Sequence, residues 1–368
     1  MNAPFILAPM AEISHRGLRE LIAEYDRAPV FVRENESRGF PGIEYFTEML
    51  SAGALLGGGP FEKWYLDAGP CPEQVVYQLV GADAGQLERA AAYLDGLDCL
   101  GIDINMGCAA PAIRRTGAGI AWTGEQEQAR AMIGRVRSAV KRKRLSVKLR
   151  CPLMGPELEP RKGDGGGEEP MLEYLIRFCQ SLEAEGVQLI TLHPRLAGEK
   201  FKRPARWGYV ERLRKELGIP VAGNGDIGSP AELAARSGGG KAMVGRAAVR
   251  QPWIFAAARR LLAGPAAPAG ETAEGAGSGT ASPGGVNPPP DPEQTGLRFL
   301  ELLARYQPPE FHISRSRRFF AYFCDNLTWG THVKNLLNRE ENLGGVERAW
   351  RGYFASHPEE RRLSAGNL

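Results

Sequence analysis

Several short runs in this chain carry residue types that can do chemistry. Val147-Lys148-Leu149 sets a lysine inside an apolar, strand-like stretch. An ammonium there must find an anionic or electron-rich partner, because burying it unpaired is costly. A flavin pyrimidine ring, which gains negative charge on reduction, would supply one. An ion pair with Asp103 or Glu48 is the alternative. Asn224-Gly225-Asp226 and Gly245-Arg246 offer glycine-opened backbone N–H groups and a guanidinium, a combination that holds phosphates. Asn-Gly-Asp alone is also an ordinary turn signal; in register with Gly-Arg on the next strand it predicts a phosphate site. Gln78 and Asn105 can each donate and accept hydrogen bonds, which suits the edge of a flavin or a uracil. Cys108 follows a glycine at a strand end and reads as a reactive thiol or, as lone cysteines commonly are, a buried space-filler.

Eight apolar or β-branched runs must position these residues: Phe5–Met10, Ile43–Met49, Val75–Gly81, Leu100–Gly107, Ser146–Arg150, Leu189–Arg195, Pro220–Asp226 and Ala242–Arg246. Amphipathic stripes lie between most of them. Leu87, Ala90, Ala91 and Leu94 form one behind an Asp83 N-cap, and Leu172, Leu175, Ile176, Cys179 and Leu182 form another. Strand–helix alternation implies parallel strands, and eight repeats imply closure: an α/β fold, a (β/α)8 TIM barrel. No G-x-G-x-x-G follows the first strand, which argues against an open doubly wound sheet. In such barrels chemistry collects at the C-terminal strand ends. Those ends are unusually polar here, with Gln78 on the third strand, Asn105 to Cys108 on the fourth, Lys148 and Arg150 on the fifth, and His193-Pro194-Arg195 on the sixth.

The 368 residues suffice for a barrel of about 250 residues and a smaller domain. Composition divides them into a barrel over 1–262, a flexible Gly/Pro-rich linker over 263–295, and a C-terminal all-helical domain over 296–368. In that last part Leu297, Leu300 and Ala304 share a helical face, as do Val346, Trp350, Tyr353 and Phe354. Hydrophobic residues at 43% and charged residues at 24% describe a soluble globular protein. No apolar stretch approaches the ~20 residues that span a bilayer, and Met1–Met10 has no basic region ahead of its apolar run, so a cytoplasmic location is expected. Six cysteines without a C-x-x-C pair argue against a zinc site and a disulfide framework, and no metal is expected. A net charge of +3 is compatible with a polyanionic partner without requiring one. A monomer is favoured.

Taken in order, these segments resemble the dihydrouridine synthases. Ile6-Leu7-Ala8-Pro9-Met10-Ala11, Thr47-Glu48-Met49-Leu50-Ser51-Ala52, Gln78-Leu79-Val80-Gly81 and Asp103-Ile104-Asn105-Met106-Gly107-Cys108 look like consecutive signatures of that family. Val147-Lys148-Leu149-Arg150, His193-Pro194-Arg195, Asn224-Gly225-Asp226-Ile227, Val244-Gly245-Arg246 and Pro252-Trp253-Ile254-Phe255 continue the match. The tail, with His312-Ile313-Ser314-Arg315 and Arg317-Arg318, is similar to the family's C-terminal domain. The resemblance implies an enzyme that uses NADPH to reduce FMN and then reduces the C5–C6 double bond of a tRNA uridine. It implies that Pro9, Met10 and Ala11 line the flavin, that Gln78 and Lys148 contact its ring, and that Asn224, Gly225, Asp226, Gly245 and Arg246 hold its phosphate with His193 nearby. Asn105, Arg195, Arg315 and Arg318 are assigned to the RNA substrate. Cys108 is the implied proton donor: hydride delivered to C6 leaves charge over C5 and O4, and a free thiol, with a pKa of about 8.5, is protonated at neutral pH and can serve as the acid.

The pattern departs from the family in places. Proline usually follows this cysteine directly, whereas here the run is Cys108-Ala109-Ala110-Pro111. Cys151, just past the fifth strand, also reaches the catalytic face and competes with Cys108. Glu12 stands where glycine is common, and 27–41 and 153–170 read as extra loop. Arg315, Arg317 and Arg318 beside Phe319, Phe320, Tyr322 and Phe323 suit phosphate contact and base stacking, or equally a basic face over an aromatic core. Lys141–Arg144 falls at the opposite end of the barrel and reads as solvated surface. The competing functions are a small-molecule FMN reductase of the dihydroorotate or old yellow enzyme kind, and a non-catalytic RNA-binding flavoprotein. Deleting 296–368 is expected to separate the small-molecule reductase from the tRNA enzyme.

Overall fold

All eight expected strands form in the computed structural model, which describes residues 4–27, 42–153, 168–199, 203–263 and 290–363. They are β1 (Phe5–Leu7), β2 (Glu44–Ser51), β3 (Val75–Val80), β4 (Gly101–Met106), β5 (Arg144–Arg150), β6 (Leu189–His193), β7 (Val221–Asn224) and β8 (Ala242–Val244). Each pairs in parallel with the next, and β8 returns to β1 to close the barrel. Several strands stop two or three residues before the expected ends. Pro9, Met10, Arg195 and Asp226 leave the sheet for the loops at its mouth, and Arg246 opens the helix Arg246–Arg250 there.

Side chains alternate along a strand, so one parity fills the interior. Ile6, Phe46, Val76, Leu189, Ala222 and Met243 pack together inside the barrel. At the strand N-termini Glu44 receives hydrogen bonds from Arg144 (2.6 and 3.0 Å) and Lys241 (2.7 Å). Burial alone would raise the Glu44 carboxyl, but these two cations hold it below its ordinary range. Outside the barrel, Leu87, Ala90, Ala91 and Leu94 are buried on the helix Ala84–Asp95, whose Asp83 cap accepts the Gln86 N–H at 2.6 Å. The helix Glu168–Ala184 begins within the stretch read as loop; 28–41 and 154–167 lie outside the described residues.

The tail requires one correction at its start. The helix Pro292–Tyr306 opens inside the expected linker, with Asp291 capping Gln294 N–H at 3.2 Å and Glu293 and Thr295 buried. Asp-Pro is an N-cap followed by a first-turn proline, a signal masked by the Pro-rich composition around it. The rest of that linker, 264–289, lies outside the described residues. On this helix the buried face is Phe299, Leu300, Leu302 and Leu303, while Ala304 is exposed. Val346, Trp350, Tyr353 and Phe354 are buried as the periodicity predicts. Phe299 and Phe319 stack at 3.7 Å within a core continuous with that of the barrel. Arg298 pairs with Glu24, and the Arg16 guanidinium lies 3.8 Å from the centre of the Tyr306 ring. Among the described residues no helix is long and apolar enough to cross a membrane.

Candidate active site

A cavity of about 1010 Å³ opens at the C-terminal ends of the strands. That is the upper end of the ~300–1,000 Å³ usual for small-molecule sites. Of the residues singled out from the sequence, Pro9, Met10, Ala11, Asn105, Cys108, Lys148, His193, Arg195, Asn224, Gly225, Asp226, Gly245, Arg246 and Arg318 all line it. Gln78 and Arg315 do not.

The loop after β7 offers groups that suit an anion. Gly225 and Asp226 have φ of 114° and 54°, and consecutive residues of this kind open backbone N–H groups toward a ligand. A Cβ at Gly225 would come within 2.9 Å of His193 Cδ2, so only glycine fits there. Neighbouring Gly223 lets the Trp207 ring pack against β7, and Trp207 Nε1 donates to the Gly225 carbonyl at 2.9 Å. The Asp226 carboxylate is turned aside to Arg195 (2.5 Å) and the Ala205 N–H (2.6 Å). Asp226 therefore contributes backbone to the cradle while its charge is neutralised. His193 Nε2 lies 3.1 Å from Arg195 Nη1; arginine is only a donor, so that nitrogen accepts and the proton sits on Nδ1. Burial, followed by Lys148, Arg150, Arg195 and Arg246, pushes His193 down to about 2, and the imidazole is neutral at any working pH.

The same cavity is lined by Lys148. Glu48 is engaged by Arg315 at 2.7 Å, and Asp103 by Gln78 and Ser146 at 2.7 Å each. Neither alternative partner takes the ammonium, which has no hydrogen bond or ion pair among the described residues. Burial lowers Lys148 to about 8, with Asp103 opposing the shift and Arg150 adding to it. An anion cradle and an ammonium with no hydrogen-bond or ion-pair partner among the described residues line one cavity, and together they fit a flavin mononucleotide. Lys148 would meet the ring, and the Gly225–Asp226 backbone with Arg246 would meet the phosphate.

Cys108 lines this cavity from the loop after β4. Asn105 Oδ1 accepts the Gly107 and Cys108 N–H groups at 3.1 and 2.9 Å, and Ile120 N–H donates to the Cys108 carbonyl at 3.1 Å. Pro111 occupies the first turn of the helix Pro111–Arg114, so its displacement by two residues still starts a helix where proline is favoured. Cys151 is fully buried and lines no part of the cavity, and burial pushes its thiol up to about 12. It is no competitor.

Three expectations change. Gln78, expected at the flavin edge, has no exposure; its amide is spent between Asp103 and Asn105. Arg315, expected to meet RNA, is 2% exposed and ion-paired to Glu48 at 2.7 Å, because the helix carrying it (Pro309–Phe323) docks that face on the barrel. Phe319, Phe320 and Phe323 belong to the core, whereas Arg318 and Tyr322 reach the cavity rim. Glu12, where glycine is common, has φ 63°, which explains that preference. Its N–H donates to Glu48 Oε1 at 2.5 Å and its carboxylate pairs with Arg318 at 3.0 Å. Arg150, named from sequence as a polar strand end, lines the cavity too, and Arg250 and Asp325 line it without having been singled out from sequence.

The family described as dihydrouridine synthase (Dus) matches residues 6–277. The chain is 26% identical over 289 residues to tRNA-dihydrouridine synthase B of Xanthomonas axonopodis pv. citri, covering 77% of this chain and 76% of that one. It is 28% identical over 269 residues to tRNA-dihydrouridine(16) synthase of Cupriavidus necator, covering 70% and 74%. A probable tRNA-dihydrouridine synthase of Rhodobacter capsulatus is 28% identical over 274 residues, covering 73% and 74%. The match runs through the whole barrel and every strand end that builds the cavity: the chain belongs to the dihydrouridine synthase family.

Proposed function

We propose that this protein is a tRNA-dihydrouridine synthase, reducing the C5–C6 double bond of uridines in tRNA with FMN as its flavin and NADPH as the source of electrons. The observation that carries the reading is that Cys108 and an unpartnered Lys148 share one cavity with a phosphate cradle in a member of this family. FMN, held at its ring by Lys148 and at its phosphate by the Gly225–Asp226 backbone with Arg246, would supply a hydride to C6 of the uracil. Cys108 then gives its proton to C5: the S–H bond breaks as the C5–H bond forms, and the charge moves to sulfur. Lys148 and Arg150 lie within electrostatic reach of Cys108 and offset that charge. Neutral His193 lacks the acidic proton of an imidazolium and serves to shape the cradle. The cavity's size leaves room for a flipped-out base beside a flavin. At the rim, Arg318 and Tyr322 suit an RNA phosphate and a base face.

The test is single-turnover mixing of the photoreduced protein with unmodified tRNA, following flavin absorbance and assaying dihydrouridine in the RNA. Rapid oxidation with dihydrouridine formed is expected, slowed by about 10²-fold or more in Cys108→Ala. Flavin that stays reduced on folded tRNA but is oxidised by free pyrimidines or enones would favour a small-molecule reductase. Absence of oxidation by any of these would leave a non-catalytic RNA-binding flavoprotein.

A further inference from the structure

The network beneath the Cys108 loop has a direction. Asp103 lies in the middle of β4 with no exposure, two residues before Asn105 on the same face. Its Oδ2 accepts from Gln78 Nε2 at 2.7 Å and its Oδ1 from Ser146 Oγ at 2.7 Å. Gln78 Oε1 accepts from Asn105 Nδ2 at 2.8 Å, and Asn105 Oδ1 accepts from Cys108 N at 2.9 Å. The Gln78 backbone is pinned separately by Thr47 Oγ1 at 3.2 Å.

A carboxylate can only accept, and a backbone N–H can only donate. Two amides strung between those ends satisfy every bond in one orientation alone. Turning either one over sets donor against donor or acceptor against acceptor in a buried site, a mismatch that such networks tolerate poorly. The Asp103 carboxylate at one end and the loop N–H groups at the other thus demand the same orientation, and Asp103, through Gln78, holds the Asn105 amide with its oxygen turned to the loop. On the far side of the loop Gly119, at φ 62°, packs so closely that a Cβ would come within 2.6 Å of the Cys108 carbonyl oxygen. The cysteine backbone is gripped from both sides, and Asp103 fixes one of them.

We propose that Asp103, which never meets the cavity, is the positioning residue for Cys108, acting through the one-way chain Gln78–Asn105. The inference rests on the reading of Cys108 as proton donor. Its test is a double-mutant cycle on the full chain, measuring tRNA-dependent flavin oxidation in single turnover for wild type, Asp103→Ala, Cys108→Ala and the double variant. Asp103→Ala is expected to slow the reaction about 10- to 100-fold, the scale of an ångström-level misplacement. In the Cys108→Ala background it should change the rate by less than about threefold, because coupled residues are not additive. A second readout needs no flavin: the alkylation rate of Cys108 in Asp103→Ala should shift by more than about threefold while partly exposed Cys71 keeps its own rate. If Asp103→Ala does not fold, Gln78→Met cuts the same chain with a near-isosteric apolar side chain. Equal slowing in both backgrounds, or an unshifted Cys108 alkylation rate, overturns the proposal. A Cys108→Ala protein as fast as wild type removes the proton-donor reading itself, a different failure with its own signature.

Discussion

Lys148 is a residue whose charge state sits near working pH. Burial strips water from the ammonium and lowers it to about 8; it is therefore charged at pH 7 and loses that charge as pH rises through 8. A cation against a flavin ring favours the electron-rich reduced form. Lys148→Met is accordingly expected to lower the two-electron midpoint potential at pH 7 by roughly 30–60 mV, about 30 mV for each 1.4 kcal/mol of lost attraction. In wild type the potential should fall more steeply between pH 7 and 9 than in the variant. Spectroelectrochemical titration at both pH values checks this, and coincident curves would mean the ammonium does not face the flavin. Sequence made Lys148 legible because a lysine amid Val and Leu has few other reasons to be there. Gln78 and Asn105 were harder. A sequence displays what an amide can bond to, but not which buried neighbour has already taken it.

At the scale of elements, the helix Pro309–Phe323 shows why strands were legible and side-chain destinations were not. Short apolar or β-branched runs closed by polar ends identify β1 to β8 before any contact is known, whereas their ends are set by where the mouth loops turn away. Arg315 and Arg318 are separated by roughly 60° around their helix, an angle without meaning until the helix has a surface to dock on. The docked helix sends Arg315 inward to Glu48 and leaves Arg318 at the rim beside Glu12. The two substitutions should then behave oppositely. Arg315→Ala leaves the Glu48 carboxylate, already pushed up by burial, without its cation. That change is expected to cost about 3–5 kcal/mol and roughly 5–10 °C in Tm. Arg318→Ala breaks a solvent-exposed pair worth less than about 1 kcal/mol; it should leave Tm alone, weaken tRNA binding and flatten its salt dependence. Calorimetry and binding at two ionic strengths separate them. A stable Arg315→Ala protein would show that the buried pair contributes little.

The whole molecule is one packed body among the described residues, not a barrel with a loose appendage. The tail's Phe299, Phe319 and Phe320 share a core with the barrel, and Tyr25 and Thr295 are hydrogen-bonded across the junction at 2.5 Å. Removing the tail would strip the barrel of apolar cover as well as of any RNA contacts. The truncated protein is expected to aggregate, as size-exclusion chromatography of the soluble fraction would reveal. A soluble, flavin-binding barrel would show instead that the two parts fold independently. The substitution at Arg318 is therefore the cleaner way to separate RNA recognition from the barrel's integrity. At the opposite end, Glu44, Arg144 and Lys241 close the barrel floor with buried charge. Among the described residues the cavity opens at the other rim, so on the proposed function whatever delivers electrons would have to vacate it before the molecule that receives them could enter, and visits to the flavin would become a queue.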